Sequence, residues 1–123
     1  MNIFERATIY AVELLISNKE LSPEIAWKKG LQQFTDKNSV INKPCPKNTF
    51  IDLCYNGYIK NVCYPKRELS ENGKMAIESI KILKSQNWNI SNKKAFWENN
   101  FSKAYQNQLE IIFALKDNNF LIN

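Results

Sequence analysis

The three cysteines are the residues whose type and spacing could do chemistry. Cys45, Cys54 and Cys63 lie in one stretch of the 123-residue chain, with eight residues between neighbours. Thiols spaced in this way could bind a metal, form a disulfide, provide a nucleophile or pack in the core. The residue types elsewhere in the chain narrow this choice.

The chain contains no histidine. Its absence excludes Ser-His-Asp and Cys-His catalysis, and every metal site that needs an imidazole ligand. Three cysteines without a close Cys-x-x-Cys pair also fit no structural zinc pattern. We therefore expect neither a metal site nor a cofactor.

Disulfide formation is disfavoured for two reasons. A helix is predicted from Cys45 to about Asn56, and nine residues of helix rise about 13.5 Å. A disulfide requires alpha carbons within about 7 Å, which excludes the Cys45–Cys54 pair. Cys54 and Cys63 could approach across a turn at Gly57, but a cytosolic chain keeps its thiols reduced. We expect Cys54 and Cys63 to be small buried apolar residues.

Cys45 differs because it stands at the predicted start of a helix, before Pro46 and Lys47. The positive end of a helix dipole and a nearby ammonium group both favour a thiolate. Cys45 is therefore the one candidate catalytic residue, although the chain has no histidine to serve as its base. The same helix start, with free backbone N–H groups and Lys47, would suit an anion.

Apolar residues spaced three and four apart predict helices along nearly the whole chain. The sequence predicts an all-α fold, a single compact domain over residues 1–123 with five or six helices. One short strand, "YIKNVCY" after Gly57, is the only β candidate. The predicted helices cover residues 3–17, 23–34, 45–56 and 71–85, a short segment capped by Ser91, and 103–117, and residues 35–43 are predicted to be a polar loop.

Two segments suggest a shared way of ending a helix. "LCYNGYI" and "LKDNNFL" both show the end of a helix, a residue suited to left-handed backbone, and two apolar residues. Asn119 stands where Gly57 stands, and asparagine is the next best residue at that position after glycine. We expect both helices to end with the same hydrogen-bonded cap.

The net charge of +5 comes from 17 Lys and Arg against 12 Asp and Glu. The basic residues are scattered, so either the coding bias of an AT-rich genome or a polyanionic partner could explain the charge. The first twenty residues lack the features of a signal peptide, and no apolar run approaches the ~20 residues that span a bilayer. We expect a cytoplasmic protein with no membrane partner.

The stretch "CPKNTFIDLCYNGYIKNV" resembles the signature of a small bacterial family known as a domain of unknown function. That signature is Cys-Pro-Lys-x-x-Phe-x-x-Leu-Cys-x-x-Gly-x-Ile/Val-Lys, and it matches from Cys45 to Lys60. Gln108 and Glu110 are similar to a Gln-x-acid pattern in the family's last helix. Lys116 and Asn119 depart from the tryptophan and glycine expected there. The resemblance implies a small, mostly helical fold and brings no activity with it.

The favoured hypothesis is a non-catalytic binding or interaction module. Its candidate site residues are Cys45, Lys47, Gln108 and Glu110, and its partner would be a protein or a small anion. Cys45 and Lys47 are candidates because they lie at the predicted helix start, and Gln108 and Glu110 are candidates because of the family resemblance. Sequence alone does not place the last helix beside Cys45.

Two other functions stay open. In the first, a helix-turn-helix or winged-helix protein would contact nucleic acid through Lys60, Lys66, Arg67 and Lys74. The loop before the candidate recognition helix is longer than a helix-turn-helix turn, which weighs against this hypothesis. In the second, a thiol-dependent enzyme would use Cys45 as nucleophile, Glu110 as base and Gln108 to position the substrate.

Overall fold

The computed structural model describes residues 1–122 and contains seven α-helices in that range. The all-α prediction is confirmed, with seven helices rather than five or six. The additional helix is a four-residue segment within the predicted polar loop. Among the described residues, no helix is both long enough and apolar enough to cross a bilayer. The helices are α1 (Ile3–Ser17), α2 (Pro23–Gln32), α3 (Asn38–Ile41), α4 (Pro44–Tyr55), α5 (Glu71–Ser85), α6 (Lys93–Asn100) and α7 (Gln108–Asp117).

Side-chain caps explain where the first two helices begin. The Asn2 side chain accepts a hydrogen bond from the Glu5 N–H, and the Glu5 carboxylate accepts one from the Asn2 N–H, which forms a capping box. Ser22 caps α2 as predicted, with its hydroxyl accepting from the Ile25 N–H at 3.2 Å. Pro23 occupies the first helical position, where a missing N–H does no harm.

Three other helix starts differ from the prediction. Helix α4 begins at Pro44 because a proline is well tolerated at the first position of a helix. Helix α6 is capped by Asn92, which accepts from the Ala95 N–H at 2.8 Å, rather than by Ser91. Helix α7 begins at Gln108 rather than near residue 103, because Asn107 is in the left-handed conformation with φ 67° and interrupts the helical path.

Close packing joins α1, α2 and α4. A Cβ atom placed on Gly30 would lie 2.8 Å from the carbonyl oxygen of Ala7, so α1 and α2 approach this closely only because the side chain is absent. The buried Trp27 ring stacks between Phe4 and Phe50, with ring centroids 6.5 Å and 5.0 Å away. These aromatic contacts tie α2 to both neighbours.

Helices α5 and α7 run in the same direction. In their first turns, the Gln108 Nε2 atom donates to the Asn72 Oδ1 atom at 3.2 Å. At their other ends, the Lys116 ammonium lies 5.6 Å from the ring centroid of Trp88, which follows α5. Because one contact joins the starts of the two helices and the other joins their ends, α5 and α7 must be parallel.

Helix α4 runs in the same direction as α7 but crosses the start of α5, where Asp52 in the last turn of α4 binds Ser70. Its C-terminal extension meets that of α7 in an isolated antiparallel bridge between Ile59 and Leu121. The Lys60 N–H donates to the Phe120 carbonyl at 2.7 Å beside this bridge. The predicted strand after Gly57 is therefore reduced to a single bridge. The starts of α4 and α7 also meet, because residues from both border one cavity.

Helices α4, α5 and α7 all end with the same hydrogen-bonded cap. In each, the N–H of the second residue past the helix-ending cap residue donates back to a carbonyl in the last turn, which is the Schellman arrangement. The shared cap predicted for Gly57 and Asn119 is confirmed, and Asn87 provides a third case. The bonds are Tyr58 to Leu53 at 3.1 Å, Trp88 to Leu83 at 2.7 Å and Phe120 to Leu115 at 2.8 Å.

A buried carboxylate on α4 fixes the start of α5. The Asp52 Oδ2 atom accepts from the Ser70 N–H at 2.9 Å and from the Ser70 hydroxyl at 2.5 Å. Ser70 in turn caps α5 by accepting from the Gly73 N–H at 3.2 Å. A Cβ atom on Gly73 would lie 2.8 Å from the Asp52 carboxyl carbon, so a side chain at this position would collide with the carboxylate.

Replacing Gly73 with alanine should destabilise the protein, although alanine normally favours a helix interior. The new methyl group has no room beside Asp52, and such overpacking lowers the free energy of unfolding by about 1–3 kcal/mol. Urea denaturation followed by circular dichroism measures the change. Lys81→Ala, at an exposed position on the same helix, is the matched control and should shift stability by less than about 0.5 kcal/mol. A Gly73→Ala protein as stable as this control would contradict the predicted collision.

Candidate functional site

A cavity lies where α4, α5 and α7 begin, and we call it the N-terminal cavity. Its volume is about 320 Å³. Helix α4 contributes Cys45, α5 contributes the first-turn residues Glu71 and Asn72, and α7 contributes Gln108. The segment before α7 completes the wall with Lys103 and Gln106. A neighbouring depression of about 310 Å³ shares Glu71 and Lys103 and extends the cavity along α5 towards Lys74.

Gln108 organises the cavity wall. The side chain is 1% exposed, and both of its polar ends have partners. Its Oε1 atom accepts from the Gln106 N–H at 2.6 Å, and its Nε2 atom donates to the Asn72 Oδ1 atom at 3.2 Å. The amide thus fixes the loop before α7 and the first turn of α5. Asn72 accepts the bond from Gln108 through its oxygen, and within residues 1–122 its amide nitrogen donates to no group.

Cys45 borders the cavity as a half-buried side chain in the first turn of α4. Fewer backbone N–H groups are free at this helix start than the sequence analysis predicted. Pro44 and Pro46 have no N–H, and the Lys47 N–H donates to the Lys43 carbonyl at 3.4 Å. In the part of the chain that the structure covers, Cys45 is left with the one unpartnered N–H of that turn.

One ion pair stands at the rim. The Lys103 ammonium lies 3.3 Å from the Glu71 carboxylate, and both side chains are more than half exposed. Glu71 also occupies the first turn of α5, where a negative charge interacts favourably with the helix dipole. Water screens an exposed pair of this kind, so either partner can exchange it for another ligand at little cost.

The structure brings together two of the four site residues predicted for the binding module. Cys45 and Gln108 border the same cavity, whereas Lys47 and Glu110 do not. The Glu110 carboxylate accepts a hydrogen bond from the Tyr105 hydroxyl. Burial and this hydrogen bond raise the pKa of Tyr105. Glu110 is therefore paired with Tyr105 outside the cavity wall and is not placed as a base for Cys45.

The other two cysteines have different environments. Cys54 is fully buried as predicted, and burial raises the pKa of its thiol well above the usual value. Cys63 is exposed, so the prediction that it is buried was wrong. The backbone turns at Asn61, where φ is 64°, and this turn directs Val62 rather than Cys63 into the core.

The four basic residues named for a nucleic-acid interface are spread over different surfaces. The Arg67 guanidinium pairs with the Glu24 carboxylate at 2.9 Å and lies 3.7 Å from the ring centroid of Tyr55. Lys60 donates to the Asn119 side chain at 2.8 Å. Lys66 and Lys74 are exposed, and Lys74 borders the depression along α5. The helix-turn-helix hypothesis stays a prediction, with two of its four cations already engaged by protein groups.

The Tyr55 hydroxyl donates to the Glu24 carboxylate at 2.8 Å. Burial and this hydrogen bond raise the pKa of Tyr55 to about 12. For Glu24, burial alone would raise the pKa, but the hydrogen bonds from Tyr55 and Arg67 outweigh it and lower the pKa. The three side chains therefore form a group whose charges favour a protonated phenol and an ionised carboxylate.

Replacing Tyr55 with phenylalanine should remove one phenol that ionises near pH 12. The folded protein holds this proton more tightly than the unfolded chain, in which tyrosine ionises near pH 10. The associated stability is therefore present below about pH 10 and disappears as the pH rises through 12. Titration of phenolate absorbance tests the assignment. Glu24→Gln is the control and should lower the pKa of Tyr55, because it removes the carboxylate that accepts the hydrogen bond. A titration curve that is the same in the wild type and both variants would contradict the assignment.

Comparison with known proteins gives one match. A family model described as a family of unknown function, DUF6979, matches residues 1–122. No curated protein and no solved structure matches the chain.

Proposed function

This chain belongs to the family of unknown function DUF6979, and we propose that it is a binding protein that takes a small anionic group in the N-terminal cavity. The group is a carboxylate or a phosphate, carried by a small ligand or by a protein partner. The proposal is non-catalytic, and Cys45 serves in it as part of the wall and as a hydrogen-bond donor.

The observation that carries the proposal is that α4, α5 and α7 all begin at one cavity. Residues in the first turns of the three helices border it. Each helix N-terminus is equivalent to about half a positive charge, and unpartnered N–H groups there favour anions. The contributions of the three ends add at the cavity, and the Asp52 carboxylate beside Ser70 offsets part of the contribution of α5.

Polar groups around the cavity match an anion. The Asn72 amide nitrogen and the Cys45 N–H have no acceptor within the described chain, and Lys103 adds a full positive charge at the rim. The volume of about 320 Å³ falls at the small end of the range for ligand sites. Glu71 is the one carboxylate on the described wall, and an entering anion would replace it as the partner of Lys103.

A thiol-dependent reaction at the same place has less support. Cys45 would need a base, the chain has no histidine, and Glu110 is bonded to Tyr105. Glu71 is the carboxylate nearest the thiol along the cavity wall, but it is paired with Lys103 and occupies an exposed rim position. The groups present are suited to holding a charge in place.

Alkylation of Cys45 with two matched reagents tests the potential directly. Iodoacetate carries a negative charge and iodoacetamide does not, so the ratio of their rate constants reports the local field. In a Cys63→Ser background, we expect the ratio at Cys45 to exceed that of N-acetylcysteine amide about fivefold. This factor corresponds to about 1 kcal/mol of favourable interaction with helix ends and the ammonium group.

Two variants separate the cavity from the overall charge of the protein. Lys103→Gln should lower the ratio towards that of the reference thiol, whereas Lys28→Gln, an equal charge change on the exposed face of α2, should leave it unchanged. Inorganic phosphate at constant ionic strength should slow both reagents at Cys45 if the cavity binds it. A ratio at Cys45 no higher than that of the reference thiol would overturn the proposal.

A further inference from the structure

The ends of α4, α5 and α7 present aromatic side chains. Tyr58, Trp88 and Phe120 directly follow the left-handed residues that end these helices, and all three are partly exposed. Trp88 itself has φ 60°, an uncommon value for a bulky residue. Repetition of one cap on the three helices therefore places an aromatic residue at each end. We call this surface, with Lys60, Lys84 and Lys116, the C-terminal face.

The bridge between the two chain segments determines which side chains point outward. Successive side chains along an extended segment alternate between its two sides. Ile59 and Leu121, the bridged pair, are 2% and 5% exposed and face the core. Tyr58, Lys60 and Phe120 therefore share the other side of the two segments, where each side chain is partly exposed.

Two lysines border a small cavity on this face, and a third lies next to it. The cavity has a volume of about 100 Å³ and is bordered by Lys84, Trp88, Lys116 and Asn119. The Lys60 ammonium donates to the Asn119 Oδ1 atom at 2.8 Å. Among the described residues that border this cavity there is no Asp or Glu, so the charged side chains on its described wall are both positive.

Aromatic rings and ammonium groups alternate outward from this cavity. The Lys116 ammonium lies 5.6 Å from the Trp88 ring centroid, and Trp88 meets Phe113 edge to face at 5.5 Å. The Lys93 ammonium lies 5.1 Å from the Phe113 ring centroid. The pattern places partly exposed aromatic rings beside cations that can contact phosphates.

We propose that the C-terminal face binds single-stranded nucleic acid. The lysines around the small cavity contact phosphates, and unpaired bases stack on Trp88 and its aromatic neighbours. A duplex would not offer its base faces to these rings, which is why the structure favours a single strand over a double helix. Apart from Lys60, these residues differ from those of the helix-turn-helix hypothesis, and no recognition helix is involved.

The proposal is independent of the N-terminal cavity. Helix α5 has 15 residues, and a helix of that length separates its two ends by about 22 Å. A substitution at Lys84 or Lys116 changes the C-terminal face without touching the wall around Cys45. Failure of either proposal therefore leaves the other to be judged by its own measurement.

Fluorescence anisotropy with a labelled oligothymidine tests the lysines. We expect the wild-type protein to bind at about 50 mM salt and to lose affinity steeply towards 200 mM, as phosphate contacts require. Lys84→Gln/Lys116→Gln should bind more weakly and reduce the logarithmic salt slope by about 1.4, or 0.7 for each lost contact. Lys28→Gln/Lys29→Gln, with the same charge change on exposed positions of α2, is the matched control and should retain nearly the wild-type slope.

Tryptophan fluorescence tests the stacking. Trp27 and Trp97 are buried, so quenching by the oligonucleotide should come from Trp88 and should disappear in Trp88→Phe. A blunt duplex of the same length should bind more weakly than the single strand. The proposal is overturned by no binding at low salt, by equal loss of affinity in the two lysine double variants, or by a duplex that binds as tightly as the single strand.

Discussion

The hydrogen bonds between Asp52 and Ser70 determine where α5 starts, and most of the arrangement depends on them. A carboxylate that is 7% exposed needs donors, because burying it without partners would be strongly unfavourable. Ser70 provides two, and the lack of a side chain on Gly73 leaves room for the approach. With α5 held in this position, Asn72 comes within reach of Gln108 and the N-terminal cavity closes.

Helices α5 and α7 are parallel, and this alignment gives the molecule two chemically different ends. Side-by-side dipoles repel one another, and charges placed at the ends reduce this cost. Asp52 and Glu71 lie at the positive end of α5, and Lys84 and Lys116 lie in the last turns of α5 and α7. The buried Asp52 carboxylate offsets part of the positive end of α5, whereas Glu71 is exposed and paired with Lys103. The two lysines make the opposite end basic.

Local signals in the sequence were sufficient for six of the seven described helices, though not for all of their bounds, and were insufficient for the site. Residues within a few positions of each other determine the bounds of α1 and α5 and the caps at Gly57 and Asn119, and these were predicted. The contact between Gln108 and Asn72 spans 36 positions, and no local pattern encodes it. Asparagine tolerates both helical and left-handed backbone, so the late start of α7 at Asn107 also could not be predicted. Asp52 carried no local signal, because its partner is on another helix.

The bridge at Ile59 has a consequence for how the protein folds and opens. The bridge joins two segments that are far apart in the sequence, since Lys60 and its hydrogen-bond partner Asn119 are 59 positions apart. Each helix and its cap, in contrast, form from residues that are close in sequence. Closing so long a loop is entropically costly, so it is expected to follow the formation of the helices themselves. The same few backbone hydrogen bonds would then be among the first to exchange their protons with solvent. The end of the molecule that carries the aromatic residues is thus expected to be its least protected part, while the opposite end stays closed.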